Sequence, residues 1–533
     1  MEAAVARSTD RRADWGTWLA LAMAALGFAY ALYVHRHFIH DDAFICFRYA
    51  ERLLDGKGLT WNDGERVEGF SSPAWLAQIA VLARLGIAAP LAALGLGLAY
   101  ALALMVLWRR ARAAPIGLLA LLTVPGFAMW TWGGLETISA CFWLLAGVHL
   151  VRGMRSRALS RNGGLLLGGA LAALAQSRPE GIAVAAALLA AAWPSRRQSG
   201  FAVAAVILGA VFASYEVFRL AYFGDFIANG ARAKTLGLPV WERVQNATIY
   251  VAGTARQWLG CVLVSLWLLA TTPGRRSPGW LLLPLAPLVL AIFVGGGDHM
   301  AGARLLLAPV ALLCFAACLA PPSPRPVARH AAVGLAIAAA LWQLRLSARN
   351  PAPRDPAAAV GEIVGHALAG VFPRGTWVAS ATAGSVPYFA PSLSFIDTLG
   401  LNDRHIAHRA PTPLPAVLHR PDSWTDVPGH QRGDGTYVLS RRPDIILLGG
   451  ANGTLAPWFA TDYQLLLAED FRAQYAPWGF SVEVPENDRR WVEDELDADS
   501  GRLPVTLYVR RDSPARVVVA ASASPVRPLW DSP

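Results

Sequence analysis

Runs of apolar side chains some twenty residues long recur along this chain, at residues 15–34, 87–108 and 200–221. A helix needs about 20 such residues to cross the hydrocarbon core of a bilayer. In lipid each backbone N–H and C=O must be satisfied internally, so runs of this kind fold as helices. Of the 533 residues, 55% are hydrophobic and only 16% are charged. A soluble domain carries about a quarter charged residues. A polytopic α-helical membrane protein is expected. Eleven spans are read near 15–35, 87–108, 114–131, 137–151, 163–177, 180–194, 200–221, 256–272, 279–296, 303–320 and 330–347. The first continues into HRHFIHDD with no small-residue cleavage site, so it reads as a signal anchor. The short apolar stretch 73–86 reads as a helix dipping partway into the membrane.

Net charge is +10, and its distribution speaks for topology rather than for a nucleic-acid face. Arg7, Arg11 and Arg12 precede the first span. Arg109, Arg110 and Arg112 follow the second; Arg152, Arg155, Arg157 and Arg161 follow the fourth. Arg196 and Arg197, Arg275 and Arg276, and Arg325 and Arg329 follow the sixth, eighth and tenth. The positive-inside rule assigns all of these to the cytoplasm. The loops 36–72, 130–137, 176–181, 219–234 and 295–304 then fall on the outer side, as does the polar region after about 350. The expected layout is a transmembrane domain over 1–349, with first outer loop 36–72, and a periplasmic α/β domain over 350–533. The five cysteines, Cys46, Cys141, Cys261, Cys314 and Cys318, form no disulfide framework and read as packing residues.

The outer side carries the groups capable of chemistry. Asp41 and Asp42 stand at the start of 43–54, which reads as an amphipathic helix with Ile45, Tyr49 and Leu53 on one face and Arg48, Glu51 and Arg52 on the other. Such a helix can lie in the interface, with the aspartates at its N-terminus, where the dipole favours a carboxylate. The bland alternative for either aspartate is an N-cap. Glu68 lies further along the same loop. Glu136 in GGLET suits a cap or sugar hydroxyls. Arg178 and Glu180 flank Pro179, as an ion pair across a helix break or as ligand groups. Arg219, Asp225, Asn229 and Lys234 surround a glycine-containing loop. Asp298, His299 and Arg304 follow three glycines; Arg304 suits a lipid phosphate, or else snorkels.

Taken together, these groups suit an anionic lipid head group. An aspartate can take the proton of an acceptor hydroxyl, and arginine or lysine can stabilise a departing phosphate. Nucleotides are not available outside the cytoplasmic membrane, so an activated donor there must be carried on lipid. The alternative class is a transporter or flippase of lipid-linked sugars, which would set its ionisable groups near mid-membrane within inverted repeats.

The string DDAFICFRYAERLLDGKGLTWNDGERVEGFSSPAW resembles the first outer loop of bacterial membrane glycosyltransferases of the GT-C superfamily. It is similar to that of the terminal β-(1→2)-arabinofuranosyltransferase family of mycobacterial cell-wall synthesis and its proteobacterial relatives. GGLET, SRPEG, RLAYFGDFIANGARAK and GGGDHMAGARLLLAP resemble later motifs of that family in the same order. IDTLGLNDRHIAHR (396–409), GHQRGDG (429–435) and RRPDIILLG (441–449) resemble its C-terminal outer domain. The resemblance implies a GT-C fold and an inverting transfer from a polyprenyl-phosphate sugar, decaprenyl-phosphoryl-arabinofuranose, to a glycan, lipid-linked or protein acceptor. It maps the catalytic carboxylate onto Asp41 or Asp42. The donor phosphate would be held by Arg178, Arg304, Lys234 or Arg219. Glu136, Glu180, Asp225, Asn229, Asp298, His299, Glu68 and His430 are the remaining substrate-binding candidates. The one cofactor these motifs leave open is a divalent cation, with Asp42 and Asp298 as its candidate ligands.

Past residue 350, TWVASAT (376–382), PDIILLG (443–449) and PVTLYVRR (504–511) read as strands and 356–372 as a helix, hence an α/β domain. Asp397, Asn402, Asp403, His405 and His408 form a polar cluster after a strand-like run. Trp424, Trp458, Trp478 and Trp491 could stack on sugars or pack in a core. The tail from about 512 reads as loosely ordered.

Overall fold

The computed structural model describes residues 2–156, 160–235, 239–272, 279–320, 323–351, 354–411 and 430–526. The chain forms two compact units, each assembled from separated segments. One is Met1–Phe38, Ala93–Val217 and Trp241–Ala352; the other is Ile39–Ala92, Phe218–Val240 and Pro353–Pro533. The loop after the first span and the 218–240 segment thus fold with the C-terminal region.

The first unit is helical. Among the described residues, five helices are long and apolar enough to cross a membrane: Ala89–Arg110, Thr137–Ser156, Ser199–Phe223, Val240–Thr271 and Pro326–Arg349. A sixth span results if Pro115–Leu122 and Pro125–Trp132, bent by 66°, count as one. The bend falls at Pro125, which has no N–H to donate and holds Val124 in an extended conformation. The first expected span lies in the helix Glu2–Val34, whose apolar part is Trp18–Val34, and others coincide with shorter helices, including Gly181–Ala191 and Arg304–Cys318. Close backbone approach helps to pack them: a Cβ on Gly126 would meet the Gly302 carbonyl oxygen at 1.8 Å. The five cysteines are buried and unbridged.

The second unit is built on a mixed sheet. Its strands are β1 (Trp377–Ser380), β2 (Ser394–Asp397), β3 (Ile445–Leu447), β4 (Tyr475–Val482), β5 (Leu503–Arg510) and β6 (Ser524–Pro525). The order is β2-β1-β3-β5-β4-β6. β1 runs parallel to β2 and β3, and the pairings from β3 through β5 and β4 to β6 are antiparallel. The helix expected over 356–372 is present as Pro356–Val371. Val360, Val364 and Leu368 of that helix share a core with Val378, Phe395, Ile445 and Leu507 of the strands.

Two sequence expectations change here. The helix after the first span, Asp41–Leu54, is enclosed on both faces. Ile45 and Tyr49 are buried, but so are Arg48 and Arg52, while Leu53 is exposed. Loop carbonyls make this affordable: Arg48 Nε donates to Trp61 O at 2.9 Å and Arg52 Nε to Thr60 O at 3.0 Å. The helix expected over 73–86 is present as Pro73–Arg84; it buries Trp75, Leu76, Ile79 and Ala80 and packs against that same helix. The tail is ordered over Ala515–Ser522, where Ala515 and Val519 enter the core. Trp478 and Trp491 pack on that core and Trp458 on a smaller cluster with Leu399 and Phe459; Trp424 lies outside the described residues.

Candidate active site

The two aspartates have different surroundings. His40 caps their helix, its Nδ1 accepting from Asp42 N at 3.2 Å, so neither aspartate caps its own helix. Asp41 instead seats the turn after β1. Its carboxylate accepts from Gly384 N at 3.0 Å, from Ser385 N at 2.7 Å and from Ser385 Oγ at 2.5 Å, where the short helix Ser385–Phe389 begins. Its own N–H donates to Asp355 Oδ2 at 2.8 Å. There is no room for more: a Cβ on Gly384 would lie 2.0 Å from Asp41 O. Burial pushes the Asp41 carboxyl up to about 6, with Asp355 adding to the effect and the Ser385 bonds opposing it. Asp41 is 8% exposed. Asp42 keeps a side chain 21% exposed, and its Oδ2 lies 2.7 Å from Lys234 Nζ.

Lys234 is carried by the helix Asn229–Thr235, which is anchored at both ends. At its start, Asn229 N donates to Glu68 O at 2.8 Å. Asn229 Nδ2 donates to the carbonyls of Gly400 at 2.8 Å and Leu401 at 3.0 Å. Those carbonyls belong to a loop wound around Asp397, whose carboxylate accepts from Leu399 N, Gly400 N, Asn402 N and Asn402 Nδ2. Burial outweighs these bonds and pushes Asp397 up to about 7. At the other end, Arg432 is buried and donates to Ala233 O at 3.1 Å, to Ala407 O at 2.6 Å and to Arg409 O. One guanidinium thereby ties the last turn of the lysine helix to the helix Arg404–His408.

The other candidates of this unit are also paired. Arg219 Nε meets Glu68 Oε2 at 2.6 Å. Asp225 binds Arg232 at 2.6 Å and His408 at 3.0 Å. His405 bonds to Asp434 at 2.9 Å, and His430 stacks on Phe459. In the helical unit, Arg178 bridges Glu136 at 2.8 Å and Glu180 at 2.5 Å. Arg304 bonds to Asp298 at 3.0 Å and lies over the Trp130 ring, with His299 Nδ1 at 3.9 Å from Asp298. Each of the four cations expected to hold phosphate therefore has a carboxylate partner. Among the described residues, no three His, Cys, Asp or Glu side chains converge as a metal site.

With this geometry in view, the comparisons with known proteins carry the resemblance. The chain is similar to the terminal β-(1→2)-arabinofuranosyltransferase of Mycobacterium tuberculosis (strain ATCC 25618 / H37Rv). Identity is 31% over 374 residues, 58% of this chain, and the match spans 56% of that relative's length. Residues 350–493 match a family described only as a domain of unknown function (DUF8728). Among solved structures, apo ArnT from Cupriavidus metallidurans aligns with a TM-score of 0.49 at 14% identity, covering 71% of this chain and 85% of that one. The archaeal oligosaccharyltransferase AglB from Archaeoglobus fulgidus, solved with an inhibitory peptide and a dolichol-phosphate, gives 0.47 at 10% identity, covering 95% and 77%.

The arabinofuranosyltransferase resemblance was legible in the first-loop string and the shorter motifs. Arg432, Asp355 and Ser385 were not singled out from the sequence. Arg432 stands inside the GHQRGDG string, and an arginine between glycines and an aspartate was the available signal. Nothing near Asp355 or Ser385 announces that they meet a residue more than three hundred positions earlier.

Proposed function

We propose that this multi-pass membrane protein is an inverting glycosyltransferase. It takes a sugar, arabinofuranose, from a polyprenyl-phosphate donor on the periplasmic side of the inner membrane. The sugar passes to a hydroxyl of an envelope glycan or another acceptor. The eleven-span topology and the periplasmic placement of 350–533 belong to this reading.

The observation that carries it is the division of labour between neighbouring aspartates. Asp41 is used up in seating the Ser385 turn, whereas the Asp42 carboxylate is accessible and 2.7 Å from Lys234 Nζ. In this reaction Asp42 takes the proton from the acceptor hydroxyl as its oxygen attacks the anomeric carbon. The bond from that carbon to the phosphate oxygen breaks, and Lys234 balances the charge on the departing polyprenyl phosphate. The resting Asp42–Lys234 pair, 2.7 Å apart, gives way to substrate. Arg178 and Arg304 are further donor-phosphate candidates, each needing to exchange its carboxylate partner for phosphate.

The test is transfer by purified protein from polyprenyl-phosphoryl-arabinose to an oligosaccharide acceptor. Activity should fall at least about a hundredfold in Asp42→Asn. Transfer of another sugar but not arabinose would correct the donor and keep the class. Movement of donor across a vesicle membrane without any transfer would favour the flippase instead.

A further inference from the structure

At the end of the Arg304–Cys318 helix farthest from Arg304 lies a second polar site, ~21 Å along the axis from the acid–arginine cluster at 1.5 Å per residue. A cavity of about 680 Å³ lies in the other unit; the one here measures about 510 Å³ and lies wholly within the helical unit. Three guanidinium groups, those of Arg109, Arg112 and Arg329, border it. Among the described residues, no Asp or Glu lines it and no ion pair involves these three arginines. Its floor is apolar, with Trp108, Leu268 and Val333 among the lining residues. Trp108 is fully buried, its Nε1 donating to Ala114 O at 3.0 Å, so this wall is preformed.

Two details mark the arginines as held in place. Arg109 stacks over the Trp18 ring at 4.5 Å, which fixes one guanidinium. Arg112 stands just past the Ala89–Arg110 helix at φ 56°, where Ala113 N closes back on Trp108 O at 3.2 Å, so the helix cap sets its place at the cavity rim.

We propose that this cavity binds the head group of an anionic membrane phospholipid, its phosphate among the three arginines and its glycerol and upper acyl carbons against the apolar floor. Uncompensated cations over apolar walls between membrane-spanning helices are the chemistry that retains anionic lipids. A free phosphate would meet the cations but gain nothing from the floor. The site does not depend on the transferase reading, since none of its residues belongs to the groups assigned to transfer.

Native mass spectrometry of the full chain, delipidated in detergent and titrated with phosphatidylglycerol, phosphatidylcholine or inorganic phosphate, tests this. Phosphatidylglycerol should be retained at least about tenfold more tightly than phosphatidylcholine, with each arginine contributing about fivefold. Arg329→Gln should lower retention about fivefold, and the triple variant R109Q/R112Q/R329Q should abolish the preference. Arg110→Gln, a neighbouring exposed arginine that does not line the cavity, should leave it unchanged; if the triple variant does not fold, R329Q against R110Q decides. Equal retention of both lipids, an R110Q effect as large as that of R329Q, or displacement of phosphatidylglycerol by an equal concentration of inorganic phosphate would overturn the proposal.

Discussion

Asp41 and Asp42 are one position apart on a helix, a rotation of about 100°, and that rotation separates two kinds of carboxylate. Asp41 faces Gly384 and Ser385 and accepts from three donors. Asp42 faces Lys234. Asparagine at 41 keeps one acceptor oxygen and turns an NH2 toward those donors, so Asp41→Asn should cost about 1–3 kcal/mol of stability, and its activity loss should follow its loss of folded protein. Asp42→Asn should leave thermal unfolding within about 0.5 kcal/mol of wild type, yet lower transfer about a hundred- to ten-thousand-fold, the range for loss of a general base. Melting curves paired with transfer assays on both variants separate the roles. Near-normal transfer by Asp42→Asn would remove it as the base. The pair itself was legible in the sequence as costly charge beside an apolar span. Which aspartate does what was not, because the answer rests on Ser385, distant in the chain.

Elements with a strong local signal were legible and those made by their neighbours were not. β1, β3 and β5 are runs of β-branched and apolar residues. β4 reads YAPWGFSV, with a proline and a glycine that argue against a strand. It forms through its full-length pairing with β5, in register from Tyr475–Arg510 to Val482–Leu503. β2 has four residues and β6 two, below any periodicity. The lysine helix, seven residues long, is likewise too short to stand alone, so its position depends on Asn229 and Arg432. Arg432→Ala leaves the carbonyls of Ala233, Ala407 and Arg409 without their shared donor. It should lower stability by about 2–4 kcal/mol and raise the donor KM through displaced Lys234. The seat on the Ser385 turn is just as unforgiving. Gly384→Ala places a Cβ 2.0 Å from Asp41 O and 2.7 Å from Asp41 Oδ2, both fixed by the helix start. It should destabilise by more than about 2 kcal/mol, read as early loss of folded protein on heating. A wild-type melting curve for Gly384→Ala would mean that the turn can move away from Asp41.

For the whole molecule, hydropathy delivered the helical unit but not the composition of the second, because segments 39–92 and 218–240 join the C-terminal region only through contacts such as Asn229 with Gly400. Among the described residues, that unit holds carboxylates whose pKa values burial has raised: Asp41 to about 6, Asp397 to about 7 and Asp462 to about 6, with Asp403 and Glu51 raised as well. Unfolded, each would titrate near 4. Between these values the folded chain binds more protons than the unfolded one, so stability falls as pH rises. The contribution is fully present below about pH 4 and is lost as pH passes through about 6 to 7. Carboxylates held low by their partners, such as Asp225 beside Arg232 and Asp434 beside His405, act only on the acid side of that window. The apparent melting temperature should therefore fall between about pH 5 and about pH 8 in one detergent, Asp41, Asp397 and Asp462 each contributing about 1–3 kcal/mol. Asp462 gives the cleanest check. All three of its donors, Gly449 N, Trp458 N and Phe459 N, bond to Oδ2 alone, at 3.0, 3.1 and 3.0 Å. Asparagine can keep that single acceptor while removing the buried charge. Asp462→Asn should thus be no less stable than wild type near pH 8 and should show a shallower decline on the way there. An unchanged slope in the variant would place the pH dependence elsewhere.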